Sequence, residues 1–130
     1  MTSIKLTFIV YGDIFDVDDF SKIIGKSPTD FAYKNDMLKY RRSTETFWEY
    51  SFQEVLSPYI EESIRCFENV ITPSLETVSS FIKKNNLKSK MLFKIETNKE
   101  PSPAIVFNNN IINLLNKING WIDLDLYINK

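Results

Sequence analysis

Asp123 and Asp125 lie two residues apart near the C-terminus. In an extended segment that spacing puts both carboxylates on one face. Paired carboxylates can do acid–base work when their surroundings split their pKa values. The plainer reading, favoured here, is acidic residues alternating outward on a half-exposed strand. Their company is less ordinary. Trp121 and Tyr127 fall on the same face, and Tyr11, with Thr7 and Ile9, joins them if the first and last strands are neighbours. Such a face is either covered by a loop or a partner, or is an exposed patch with a binding role.

The other reactive side chains reduce to structure. Asp13, Asp16, Asp18 and Asp19 form the densest acidic cluster. A calcium loop needs oxygen ligands at alternate positions, then a glycine and a distant glutamate, and Phe20 and Ser21 break that spacing. N-capping by Asp16 and compensation of a helix dipole by Asp18 and Asp19 account for the cluster without a metal. Gly25-Lys26-Ser27 has the letters that end a phosphate-binding loop. That motif needs a glycine five residues before the Gly-Lys pair, where Phe20 stands, and a helix after the lysine, where Pro28 follows. Lys39-Tyr40-Arg41-Arg42, the one basic cluster, reads first as a solvated loop and second as a contact for an anion or an acidic partner. Cys66, the single cysteine, falls beside the apolar stripe of a helix and reads as a structural thiol. The chain has no histidine, which excludes Cys–His and Ser–His catalysis and histidine-ligated metal sites within it. No catalytic residue, cofactor site or metal site is assigned.

The elements that position these residues follow from periodicity. A first strand over Ile4–Tyr11 carries apolar residues on both faces, which predicts a central place in its sheet. Asp16 caps a helix with Phe20, Ile23 and Ile24 on its buried side, and Gly25 ends it. Residues 26–46 are the least regular, with a short strand around Phe31–Tyr33. Phe47–Gln53 alternates as a strand. Ser57-Pro58 opens a second helix as N-cap and first helical residue. Its stripe of Ile60, Ile64, Phe67 and Ile71 continues through Leu75, Val78 and Phe81 or Ile82, so one long helix is expected, broken or kinked at Pro73. A strand over Met91–Glu96, a turn at Pro101 and Pro103, and a short extended piece over Ala104–Phe107 come next. Asn108 caps a third helix bearing Ile111, Ile112, Leu114, Leu115 and Ile118, which Gly120 ends. The final strand points Ile122, Leu124, Leu126 and Ile128 one way and Trp121, Asp123, Asp125 and Tyr127 the other. Ile122, Leu124, Leu126, Phe8, Phe93 and Phe67 are expected in the core.

This order predicts an α+β fold. It is a two-layer sandwich, a mainly antiparallel sheet with helices on one face, with a ferredoxin-like βαββαβ start and an extra strand-helix-strand. At 130 residues the whole chain, 1–130, reads as a single domain. Apolar and charged shares of 43% and 25% are ordinary for a soluble globular protein. A net charge of −1 argues against non-specific nucleic-acid binding and gives no reason for attachment to an acidic membrane. No apolar run is long enough to span a bilayer, and Ile4–Val10 does not read as a signal peptide. A lone cysteine fits a reducing cytoplasm.

Several of these residues carry a resemblance. The strand ending Gly12-Asp13, then Phe15-Asp16, the helix ending Ile24-Gly25, and Pro28-Thr29 resemble a bacterial family catalogued as domain of unknown function 4279. The aromatic strand around Trp48, Pro103-Ala104-Ile105 and Ile122-Asp123-Leu124-Asp125-Leu126-Tyr127 are similar to that family's pattern too. Trp121, in place of a small residue, and the loop at 34–46 depart from it. The resemblance implies bacterial origin and a stand-alone cytoplasmic domain, and brings no activity, cofactor or catalytic residue.

Three functions are compatible with these residues. The first is a non-enzymatic protein-interaction module of the immunity or antitoxin kind, meeting a protein partner or a second copy of itself through Trp121, Asp123, Asp125, Tyr127 and Tyr11. The second is a small-molecule-binding domain with a pocket beside the 34–46 loop. The third, ranked last, is an enzyme built on carboxylates and tyrosine. An acidic aromatic face disfavours RNA, because carboxylates repel phosphates.

Overall fold

A computed structural model describes residues 2–98 and 105–129. The elements run β1 (Ser3–Gly12), α1 (Val17–Ile24), β2 (Asp30–Ala32), β3 (Thr46–Ser51), α2 (Glu61–Ile71), a 3-10 turn (Thr72–Ser74), α3 (Leu75–Lys84), β4 (Lys88–Asn98), α4 (Asn109–Lys117) and β5 (Gly120–Asn129). The five strands form one sheet in the order β2-β3-β1-β4-β5. β1 is central, as its two-faced apolar pattern predicts. Its pairings with β3 and β4, and that of β2 with β3, are antiparallel, whereas β5 lies parallel to β4. With α2 and α3 counted as one helix broken at Pro73, the first six elements keep the ferredoxin-like order, and α4 carries the chain across to a fifth, parallel strand.

Local chemistry explains the element ends. The Asp16 carboxylate accepts from the Asp19 amide at 3.1 Å, and Gly25 closes α1 with φ of 78°, a conformation that costs glycine little. Asn108 caps α4 by accepting from the Ile111 amide at 3.0 Å. Pro73 sits in the 3-10 turn that divides α2 from α3, so the long helix is broken there, as expected.

One face of the sheet and all four helices share a core. Ile4, Leu6, Phe8 and Val10 of β1, Met91, Phe93 and Ile95 of β4, and Trp48 of β3 are buried on that face. They meet Phe20 of α1, Phe67 of α2, Val78 and Ile82 of α3, and Ile111 and Leu115 of α4. Phe8 meets Phe67, and Phe20 meets Trp48, edge to face with centroids 4.9 Å apart, a preferred aromatic geometry. The Trp48 indole donates to the Ser21 hydroxyl at 3.0 Å, so its one polar atom is satisfied.

Five expectations are corrected. Ile122 is only half-buried, and Leu124 and Leu126 are 43% and 48% exposed, because β5 is an edge strand that the helical layer only partly covers. Ile112 of α4 is exposed as well. Helix α2 begins at Glu61, not at Ser57-Pro58, where the Ser57 hydroxyl instead accepts from the Tyr59 amide in a local turn. Helix α4 stops before Gly120, with Asn119 in the left-handed region at φ 51°, and Gly120 opens β5. Ile105–Phe107 form no strand, while Ala104 and the turn at Pro101 and Pro103 lie outside the described residues.

Candidate functional site: the open sheet face and its free edge

Among the described residues, no helix lies on the second face of the sheet. Side chains of β1, β4 and β5 form rows across it: Ile9–Lys90–Trp121, Thr7–Leu92–Asp123, Lys5–Lys94–Asp125 and Ser3–Glu96–Tyr127. Trp121, Asp123, Asp125 and Tyr127 therefore share a face and are all exposed. Tyr11 is on the same face but not beside them, because β4 separates β1 from β5. The intervening lysines bridge that gap, and periodicity alone did not reveal them. Lys90 lies 5.9 Å from the Tyr11 ring centre and pairs with Asp123 at 3.8 Å. Lys88 lies 5.8 Å from the Trp121 ring, and Lys94 5.5 Å from the Tyr127 ring. The result is a lattice of lysine ammonium groups on aromatic faces, with carboxylates between them.

Asp123 and Asp125 stand on this open strand and not in a cleft. Asp123 has Lys90, and Asp125 accepts a hydrogen bond from the Tyr127 hydroxyl at 3.0 Å. That bond, reinforced by the Asp125 charge, holds the Tyr127 hydroxyl above its ordinary pKa.

The start of β5 is tightly placed. The Ser89 hydroxyl donates to the Ile118 carbonyl at 2.9 Å, and the Asn119 side-chain amide donates to the Leu87 carbonyl at 3.2 Å. A Cβ at Gly120 would stand 2.6 Å from Leu115 Cδ2 and 3.1 Å from the Leu115 carbonyl oxygen. Glycine thus lets the end of α4 press against the sheet, which fixes where Trp121 emerges. Trp121 borders a groove of about 430 Å³ with Asn86, Lys88, Asn116 and Asn119.

The loop between β2 and β3 borders the face near Tyr11 and Glu49. The Tyr33 amide donates to the Asp36 carboxylate at 2.8 Å, the Asn35 amide to the Ser43 carbonyl at 2.8 Å, and Ser43 back to the Asp36 carbonyl at 2.8 Å. This closed loop and the sheet enclose a groove of about 400 Å³ lined by Tyr11, Arg41, Glu45, Phe47, Glu49 and Lys90, among others. Burial and the nearby Glu45 charge push the Tyr11 hydroxyl up. Burial, and Asp30 directly opposite on β2, push the Glu49 carboxyl up. The remaining singled-out residues have structural surroundings. Asp13 pairs with Lys34, Arg42 donates to the Asn35 carbonyl within the loop, and Cys66 is exposed on α2, contrary to its expected place beside the core.

The edge of the sheet was not legible from periodicity. The Ser89 amide donates to the Asn119 carbonyl at 3.2 Å, and the β4–β5 register runs without a bulge from Ser89–Gly120 to Asn98–Asn129. In a parallel ladder, alternate residues bond to the neighbouring strand. Odd-numbered residues of β5 therefore face β4, and Gly120, Ile122, Leu124, Leu126 and Ile128 aim their N–H and C=O groups outward. Among the described residues, no strand meets them.

No curated protein and no solved structure matches the chain. Residues 2–129 match the family described as Domain of unknown function (DUF4279), and on that coverage the chain belongs to that family.

Proposed function

We propose that the protein is a non-enzymatic interaction module, of the immunity or antitoxin kind, that binds a protein partner through β5 and the Trp121–Tyr127 face. The observation that carries this reading is the free edge. Ten residues of strand lie at the margin of the sheet, with Trp121, Leu124, Leu126, Tyr127 and Ile128 all 43% exposed or more. Large aromatic side chains with polar neighbours are the composition of interface anchors. Exposed carboxylates, each with a partner, support binding over acid–base catalysis. Among the described residues no helix is long and apolar enough to cross a membrane.

The test is capture from native-host extract with the tagged chain and its Trp121→Ala variant. Trp121 is 57% exposed, so the variant should fold with little change in thermal midpoint while losing its partner. A variant that retains every captured protein refutes the assigned surface, and so does one that unfolds.

A second reading has its own observation. The groove between the 33–46 loop and the sheet gathers Arg41, Lys90, Glu45 and Glu49 around Tyr11, which suits a small polar molecule bearing both charges.

A further inference from the structure

We infer that the partner of β5 is a second copy of the chain, joined by antiparallel pairing of the two β5 edges about a two-fold axis at Leu126. This rests on the interaction-module reading and names the occupant of the strand edge, leaving the Trp121 end of the face to the partner that the Trp121→Ala capture reads.

The two edges of the sheet differ. β2 is three residues long and carries Asp30, a short, charged edge of the kind that resists pairing. β5 is ten residues long, without proline or bulge, and its helix side is apolar and exposed at Leu124, Leu126 and Ile128. A long, regular, apolar edge is a template for another strand.

Charge selects the register. Two strands paired about a two-fold axis keep like faces together, so the axis passes through a residue opposite its own copy. An axis at Asp123 or Asp125 sets each of those carboxylates against itself, and an axis at Leu124 sets Asp123 against Asp125. Like charges directly opposite are destabilising. An axis at Leu126 removes every such clash. Asp125 then faces Tyr127 of the other copy, whose hydroxyl already serves that carboxylate within one chain, and Asp123 faces Asn129. Axes further along either way also avoid the clash, but they overlap fewer strand residues.

The backbone agrees with this choice. Leu124, Leu126 and Ile128 all aim their N–H and C=O groups outward, so Leu126 meets Leu126 and Leu124 meets Ile128 as hydrogen-bonded pairs. About six new backbone hydrogen bonds result. The apolar side chains of both copies then form one strip on the helix side, withdrawing from water the surface that a single chain leaves open. Trp121 lies outside the paired segment.

Sedimentation of the purified full chain from micromolar to millimolar concentration should show reversible dimer formation. Leu126→Lys puts two ammonium groups opposite each other and should leave only monomer over the same range. Cysteine variants in a Cys66→Ser background test the register without relying on that change. Cα atoms in a hydrogen-bonded pair are about 5.5 Å apart, within the about 4.4–6.8 Å that a disulfide spans. On oxidation, Leu126→Cys alone should form a covalent dimer. Leu124→Cys and Ile128→Cys should each remain monomeric alone and cross-link when mixed. Covalent dimer from Leu124→Cys alone would overturn the register. A wild-type chain that is monomeric throughout would overturn self-pairing. If that monomer still loses a different captured protein on Trp121→Ala, the interaction-module reading stands without it. If it captures nothing, both fall.

Discussion

Phe93 and Leu124 are register partners on adjacent strands, both directed to the helix side, and truncating each separately measures how far the core reaches toward the edge. Phe93 is fully buried and lies 5.9 Å, centre to centre, from the Phe107 ring. Removing a ring from such a site costs about 3–5 kcal/mol, because the space left behind cannot close completely. Leu124 is 43% exposed. Full burial of a leucine side chain contributes about 1.5–3 kcal/mol, so a little over half of it, in a site that water can refill, gives about 1–1.5 kcal/mol. For a chain of this size 1 kcal/mol moves the thermal midpoint by about 3–5 °C. Phe93→Ala should therefore lower it by about 9–25 °C and Leu124→Ala by about 3–7 °C. Calorimetry on dilute samples, where copies do not pair, is the measurement. Equal losses would refute the edge assignment and place Leu124 in the core. Raising the concentration should enlarge the Leu124→Ala deficit if the edges pair, and leave the Phe93→Ala deficit unchanged.

Two other substitutions address the face and its placement. The raised Glu49 carboxyl favours its proton more in the folded chain than in the unfolded one. Its stabilising contribution is complete below the ordinary carboxylate range and is lost as pH rises through the raised value. Glu49→Gln should thus raise the melting temperature at neutral pH more than in acid, and a pH series of wild type and variant would show parallel curves if the reasoning fails. Gly120→Ala forces a methyl group against Leu115; such overpacking costs about 1–3 kcal/mol, and urea titration should show the midpoint falling with the slope unchanged.

What sequence could and could not reveal divides along physical lines. The caps at Asp16 and Asn108, the stop at Gly25 and the break at Pro73 are local chemistry, and the structure places each where its residue type dictates. The core residues Phe8, Phe67 and Phe93 follow from period alone. Leu124 and Leu126 alternate in the same way, yet they lie half in water, because whether a strand is central or marginal depends on which strands flank it. The candidate face shows the same division. Trp121, Asp123, Asp125 and Tyr127 share a side, as strand alternation requires. Tyr11 is separated from them by β4, and Lys88, Lys90 and Lys94 become part of the face only once β4 is known to run between β1 and β5. The groove beside the 33–46 loop depends on backbone bonds between Asp36 and Ser43 that no short motif announces.

The shortness of β2 also sets a limit on size. A strand added at β5 turns the five-stranded sheet into a wider one whose remaining margins are both β2. Three residues offer too few backbone groups to recruit another chain. A contact that uses the same patch twice closes on itself, whereas a head-to-tail contact of β5 with β2 would propagate into a fibre. The unequal edges therefore permit pairs and oppose filaments, so a chain with an apolar margin can accumulate in a crowded cell without polymerising.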